Sequence, residues 1–226
     1  NMAILRVDHP DIMEFIFCKN DGGNLNNFNI SVGVTDAFIA AARKREDYEL
    51  IDSVCFICDC MEHGDEAMFN QVSAQAGQKF VELIHHSQKK GVQEINFDLV
   101  QSCIFGLGMV ASKQPSGQFA QLGDFMTIIN QLTNPQLASA ISEDQKESFE
   151  AMLDNAVSAL AKVVIYQQDG NLVNDNSVAT VFNHLPLKCD LDEAQDIHTL
   201  LLEQILAKNA VLMKYPDHLK TFVQKV

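Results

Sequence analysis

Cys55, Cys58, Cys60 and His63 crowd into one short segment, and thiols with imidazole are the groups that bind borderline and soft metal ions. On a helix, Cys55 and Cys58 share one face while Cys60 points away. The four cannot converge tetrahedrally without unwinding, and structural zinc draws its ligands from two segments. They read as core or surface thiols. Gly106-x-Gly108-x-x-Ala111, with Asp124 further on, has the spacing of a dinucleotide fingerprint. That motif needs a strand before it and a helix opening at it. Helical periodicity runs through both glycines, so close packing of a neighbouring helix accounts for them. His85-His86 close a helix before Lys89 and Lys90, where cations complement the helix dipole. Asp190, Asp192 and Glu193 share one turn. They read as a helix cap and, alternatively, as carboxylates that meet a basic partner. No Ser/His/Asp set or carboxylate pair stands apart from the solvated faces. No catalytic, cofactor-binding or metal-binding residue is therefore expected, and no cofactor.

The elements that must position these groups change character near Asp52. The chain has 226 residues and a formal net charge of −14. Its length suffices for one large domain or two small ones. The acidic surface repels nucleic acid. No apolar run approaches the ~20 residues that span a bilayer, and no basic-then-apolar leader is visible. The start at Asn1 reads as that of a fragment. Six cysteines at irregular spacing do not make a disulfide scaffold and read as reduced thiols.

Residues 1–52 predict strand, helix, strand, helix. Met2 to Val7 reads as a strand, and Asp8 and Pro10 can open a helix carrying Ile12, Phe15 and Ile16. Asp21-Gly-Gly-Asn24 is loop chemistry. Phe28 to Val34 reads as a second strand with Ile30, Val32 and Val34 on one face. Thr35 caps a helix through about Arg45. This order favours parallel pairing through a right-handed crossover. Two parallel strands alone cannot cover both their faces, so the piece reads as part of something larger.

The runs Asn1-Met-Ala-Ile-Leu-Arg-Val-Asp-His-Pro-Asp-Ile12, Asn27-Phe-Asn-Ile-Ser-Val-Gly-Val-Thr-Asp-Ala-Phe38 and Asp47-Tyr-Glu-Leu-Ile51 resemble ribonucleotide reductase large subunits, above all the adenosylcobalamin-dependent class. The resemblance implies part of a ten-stranded α/β barrel. The family's finger-loop motif, Asn-Pro-Cys-Gly-Glu, is absent from this sequence, as is its redox cysteine pair. Cys18 lies on the first predicted helix, outside both of those motifs. On these grounds reductase activity is not expected of the chain.

From Ser53 every long segment predicts an amphipathic helix. A first helix places Val54, Ile57, Cys58 and Met61 on one face and stops at Gly64. Others span about Glu66–Ser87 and Gln93–Ser112, and a fourth carries Phe119, Leu122, Phe125, Ile129 and Leu132. Ser142 and Gln145 predict a capping box for a helix ending near Gln168, closed by Asp169-Gly170. Helices follow over about Asp175–Leu185 and Asp190–Lys208, the latter capped by Asp190 with Glu193, and from Pro216 to the end. The helices pair at the spacing of two-helix solenoid repeats.

Cys58-Asp-Cys-Met-Glu-His63, Gln101-Ser-Cys-Ile-Phe-Gly-Leu-Gly108, Asp154-Asn-Ala-Val-Ser-Ala-Leu-Ala-Lys162 and Leu185-Pro-Leu-Lys-Cys-Asp-Leu-Asp-Glu-Ala194 are similar to HEAT repeats of the importin-β (karyopherin) superfamily. The fold class expected is mainly α: a HEAT-repeat α-solenoid of paired helices over 53–226, about four pairs, preceded by a short βαβα fragment over 1–52. The resemblance implies a nuclear transport receptor fragment that recognises cargo, and no enzyme. Its implied partners are basic cargo proteins, Phe-Gly nucleoporins and Ran, with Asp190, Asp192 and Glu193 as cargo-binding candidates and no nucleic acid or membrane. Its implied location is cytoplasm and nucleus, with transit at the nuclear envelope. The alternative is a ribonucleoside-diphosphate reductase fragment, lacking its catalytic residues, fused to an unrelated helical region. A third reading is an assembly join of two reading frames, since no polar or Gly/Pro-rich linker separates the two textures.

Overall fold

The computed structural model describes residues 2–6, 12, 15, 29–34, 48–167 and 172–225. The chain divides into two compact units, Asn1–Leu50 and Ile51–Val226. Among the described residues it is mainly helical, with one short parallel sheet.

In the first unit β1 (Met2–Arg6) pairs with β2 (Asn29–Gly33) in parallel, Ala3 opposite Ile30 and Leu5 opposite Val32. By this register Ile4 stands on one face and Val32 and Val34 on the other, and all three are exposed. Ile12 and Phe15 are helical, and Ile12 is buried. The expected Asp8 cap, the Asp21–Asn24 loop, the helix from Thr35 and Cys18 lie outside the described residues.

The second unit is built on helices whose apolar stripes face one another. The helix α1 (Tyr48–His63) buries Val54, Cys58 and Met61. Its last carbonyls, Met61 O and Glu62 O, accept from Lys113 Nζ at 2.6 and 3.0 Å, so a cation closes the helix's negative end. Next, α2 (Glu66–Lys89) starts at Asp65, whose carboxylate accepts the Met68 N–H. The third helix begins later than the periodicity suggests. A 3-10 turn occupies Val92–Glu94, and Asn96 caps α3 (Phe97–Lys113) by accepting the Leu99 N–H. Then come α4 (Leu122–Leu132), a six-residue α5 (Pro135–Ala140) and α6 (Lys146–Tyr166). The last three are α7 (Asp175–His184), α8 (Leu191–Leu206) and α9 (Pro216–Val223).

The core lies along α3 and α6, which pack on each other; α2 lies against α3, and α7 and α8 against α6. Phe80, Ile104, Leu107, Met152 and Leu160 are fully buried there, each stabilising the fold by about 1.5–3 kcal/mol. The two glycines of α3 explain how closely these helices approach. A Cβ on Gly108 would stand 2.8 Å from Ala159 Cβ on α6, and one on Gly106 would overlap Phe80 of α2 and Cys58 of α1. The dinucleotide fingerprint is thus a packing feature inside a continuous helix.

Two expectations change in detail. The Ser142/Gln145 box does not form: Ser142 Oγ donates to Gln145 Oε1, and the Gln145 amide donates to Gln93 O and Ile95 O instead. A 3-10 turn over Glu143–Gln145 starts the helix without a side-chain cap. At its other end buried Gln167 donates to Ala111 O and Gln114 O and accepts the Gly117 N–H, tying α6 to the turn after α3. The Asp169-Gly170 stop lies outside the described residues.

Candidate functional site

The polar groups of this unit gather where α6 meets the start of α8. Asp154 sits on α6 facing the Leu185–Asp190 turn, and its Oδ2 accepts the Lys188, Cys189 and Asp190 N–H groups at 2.8, 2.6 and 3.2 Å. One turn on, Ser158 Oγ donates to Glu193 Oε1, and a further turn on, Lys162 Nζ meets the same oxygen at 2.6 Å. Both members of that ion pair are largely buried, with side-chain exposures of 16% for Lys162 and 7% for Glu193. Lys162 also lies 5.3 Å over the Phe105 ring of α3. Asn155 Nδ2 donates to Asp190 Oδ2 at 2.8 Å, and Gln101 Nε2 of α3 reaches that oxygen at 3.3 Å.

Asp190 therefore does two jobs. Its Oδ1 accepts the Glu193 N–H as the cap of α8, and its Oδ2 takes the two amides. Glu193 does not fold back to complete a capping box; it turns inward to Ser158 and Lys162. Asp192 is exposed. Of the three acidic residues singled out in the sequence, the structure spends Asp190 and Glu193 on internal contacts and leaves Asp192 in solvent. Asp154, Asn155, Ser158 and Lys162 went unnoticed as a set. Their signal is a polar row at i, i+4 and i+8 on an otherwise apolar helix.

Beside this network lies a cleft of ≈ 380 Å³. Cys55, Cys58 and Asp59 come from α1, Gln101, Ser102 and Phe105 from α3, Asn155 from α6, and Asp190, Asp192, Glu193 and Asp196 from the start of α8. Burial pushes the Cys58 thiol up to about 12, with Cys55, Asp59 and Glu62 adding to the effect. Burial raises the Cys103 thiol as well. Such thiols stay protonated at neutral pH and are poor nucleophiles. Among the described residues no group of three or more His, Cys, Asp or Glu could hold a metal ion, and no helix is long and apolar enough to cross a membrane. His85 lines a separate cleft of ≈ 560 Å³ at the end of α2, with Gln88 and Lys89.

Similarity to known proteins points to the other end of the chain. The family model described as "Ribonucleotide reductase, barrel domain" matches residues 1–104, a span that runs through α1 and α2 into α3. The chain is 64% identical over 39 residues to a vitamin B12-dependent ribonucleoside-diphosphate reductase of Thermoplasma acidophilum, covering 17% of this chain and 5% of that protein. It is 44% identical over 52 residues to the vitamin B12-dependent ribonucleoside-diphosphate reductases of two Mycobacterium tuberculosis strains, covering 23% of this chain and 8% and 7% of those proteins. The chain thus spans a small part of the relatives it matches. No solved structure matches it.

These matches overturn the main functional expectation. The family and the relatives are reductases, so the nuclear transport receptor is set aside, and with it the basic cargo, Phe-Gly nucleoporin and Ran partners. The expectation that the chain is no enzyme is set aside with it, since the relatives are enzymes, and the matches favour the alternative reading, a ribonucleoside-diphosphate reductase fragment. The physical reason for the misjudgement is one of weight. The likeness that decides the matter is short and dense, whereas the helical region offered more residues of a pattern that many helical proteins share.

Proposed function

We propose that the first unit is a barrel segment of a vitamin B12-dependent ribonucleoside-diphosphate reductase large subunit, the class of enzyme that makes deoxyribonucleotides. The observation that carries this is the parallel, in-register pairing of β1 with β2 within the span that matches the reductase barrel. Parallel strands belong in sheets covered on both faces, and the exposed Ile4, Val32 and Val34 are the residues such a barrel would cover. The segment supplies scaffold. The finger-loop motif is not in the sequence, so a step that needs its cysteine must be supplied by other residues of an enzyme.

Three clefts of the second unit, of ≈ 380, ≈ 440 and ≈ 560 Å³, are of the size that takes drug-sized ligands, and a corrin ring with its nucleotide tail is far bulkier, so none of the three fits a corrinoid.

We further propose that the helices after Ile51 form HEAT-type pairs. The stacking of α2 on α3, of α3 on α6, and of α7 and α8 on α6 supports this, as does the close approach at Gly108.

The strand reading is tested by cross-strand nuclear Overhauser contacts. Contacts linking Ala3 to Ile30 and Leu5 to Val32 in one direction along both strands are expected. An antiparallel contact pattern would overturn it.

A further inference from the structure

We propose that Cys55 and Cys58 form a two-sulfur site for a soft divalent cation, held between successive turns of α1 on the wall of the acidic cleft. Both thiols line that cleft. Both point to one residue of the facing helix: Cys55 Sγ lies 3.7 Å from Ser102 Oγ, and Cys58 Sγ lies 3.8 Å from Ser102 O. Cys58 is 4% exposed, while Cys55 is open to solvent, so an ion can enter past Cys55 and be bound partly out of water.

The spacing selects a bridging ion over a disulfide. Residues three apart on a helix have Cβ atoms about 5–6 Å apart, wider than the roughly 3.8 Å of a disulfide. An ion making metal–sulfur bonds of the order of 2.3 Å, as zinc does, fills that gap without unwinding α1. Zinc itself asks for about four ligands, and no third or fourth donor joins the pair among the described residues. A soft ion content with two sulfurs, of the mercuric type, is the match.

Charge sets the valence. Binding releases one proton from each thiol and forms two metal–sulfur bonds. A divalent ion then gives a neutral product, whereas a monovalent ion leaves a net negative charge. Asp59, Asp192 and Asp196 line the same cleft. The neutral product avoids placing a further anion among them.

The test uses the full chain with one equivalent of mercuric ion and an excess of 2-mercaptoethanol as competitor. Alkylation of Cys55 by iodoacetamide is read by mass spectrometry. Mercuric ion is expected to block Cys55 in the wild type and in C60S, and C58S is expected to leave Cys55 reactive. Cys55 alkylated at its metal-free rate in the wild type, or equally shielded in C58S, would overturn the proposal. Should C58S lose its helicity, C55S, altered at an exposed position, is read by ion retained through gel filtration. Loss of the ion relative to wild type supports the site, and equal retention overturns it.

Discussion

Glu193 carries the ion pair of the second unit's polar network. It faces Lys162 at 2.6 Å and accepts from Ser158 out of contact with water. Removing one partner of such a pair strands a buried charge, at a cost of about 3–5 kcal/mol. E193Q is therefore expected to lower the urea midpoint by the equivalent of that amount. The double variant K162M/E193L, which removes both charges, is expected to lose less. An E193Q midpoint equal to wild type would show that the pair is not buried in solution. His198 gives a second expectation. Its Nε2 accepts the Leu187 N–H at 3.2 Å, and burial holds its pKa below 6.5 against the opposing pull of Asp154. As pH falls, the unfolded chain takes up this proton first. The contribution is thus present above pH 6.5 and is lost as pH falls through 6.5 toward the lower folded value. H198Q should flatten that part of the stability profile, measured by denaturation between pH 7.5 and 5.

At the scale of elements, α3 packs through its two glycines, Gly106 toward α1 and α2 and Gly108 toward α6. G106A is expected to cost about 1–3 kcal/mol by overpacking, because its Cβ would overlap Phe80 and Cys58. G108A, 2.8 Å from Ala159 Cβ, is expected to act likewise. Gly123, which has open space around its Cβ, is the control: G123A in an exposed helix turn should be neutral or gain up to about 1 kcal/mol. Thermal melts of the three variants check the order. Most of these elements were legible because each carries its own signal: a stripe at helical spacing, Asp190 as cap, Pro216 at a first turn. Helix α5 had a signal too, Asn134 capping and Pro135 in the first turn, but six residues are too few to show a stripe. The Lys162–Glu193 pair left little local trace, since its partners are separated by 31 positions. The parallel sheet was legible from element order, because a strand–helix–strand run has few other ways to close.

At the scale of the whole molecule, the described residues of the two units differ in how much apolar surface they bury. Two parallel strands with Ile4, Val32 and Val34 in solvent are marginal by themselves, whereas α3 and α6 are lined with fully buried side chains. Amide exchange over β1 and β2 is therefore expected to outpace exchange over α3 and α6, seen by mass spectrometry of deuterated peptides. The reading proposed for residues 1–52 is that they are a barrel segment. That claim is tested most directly by exchanging residues 1–52 into the matching place in the Mycobacterium tuberculosis reductase, with which the chain is 44% identical over 52 residues. The same exchange made from the Thermoplasma acidophilum reductase serves as control. Cofactor-dependent turnover of a ribonucleoside diphosphate is then measured. Activity in both exchanges is the expected result. A folded but inactive exchange from this chain, beside an active control, would contradict the account.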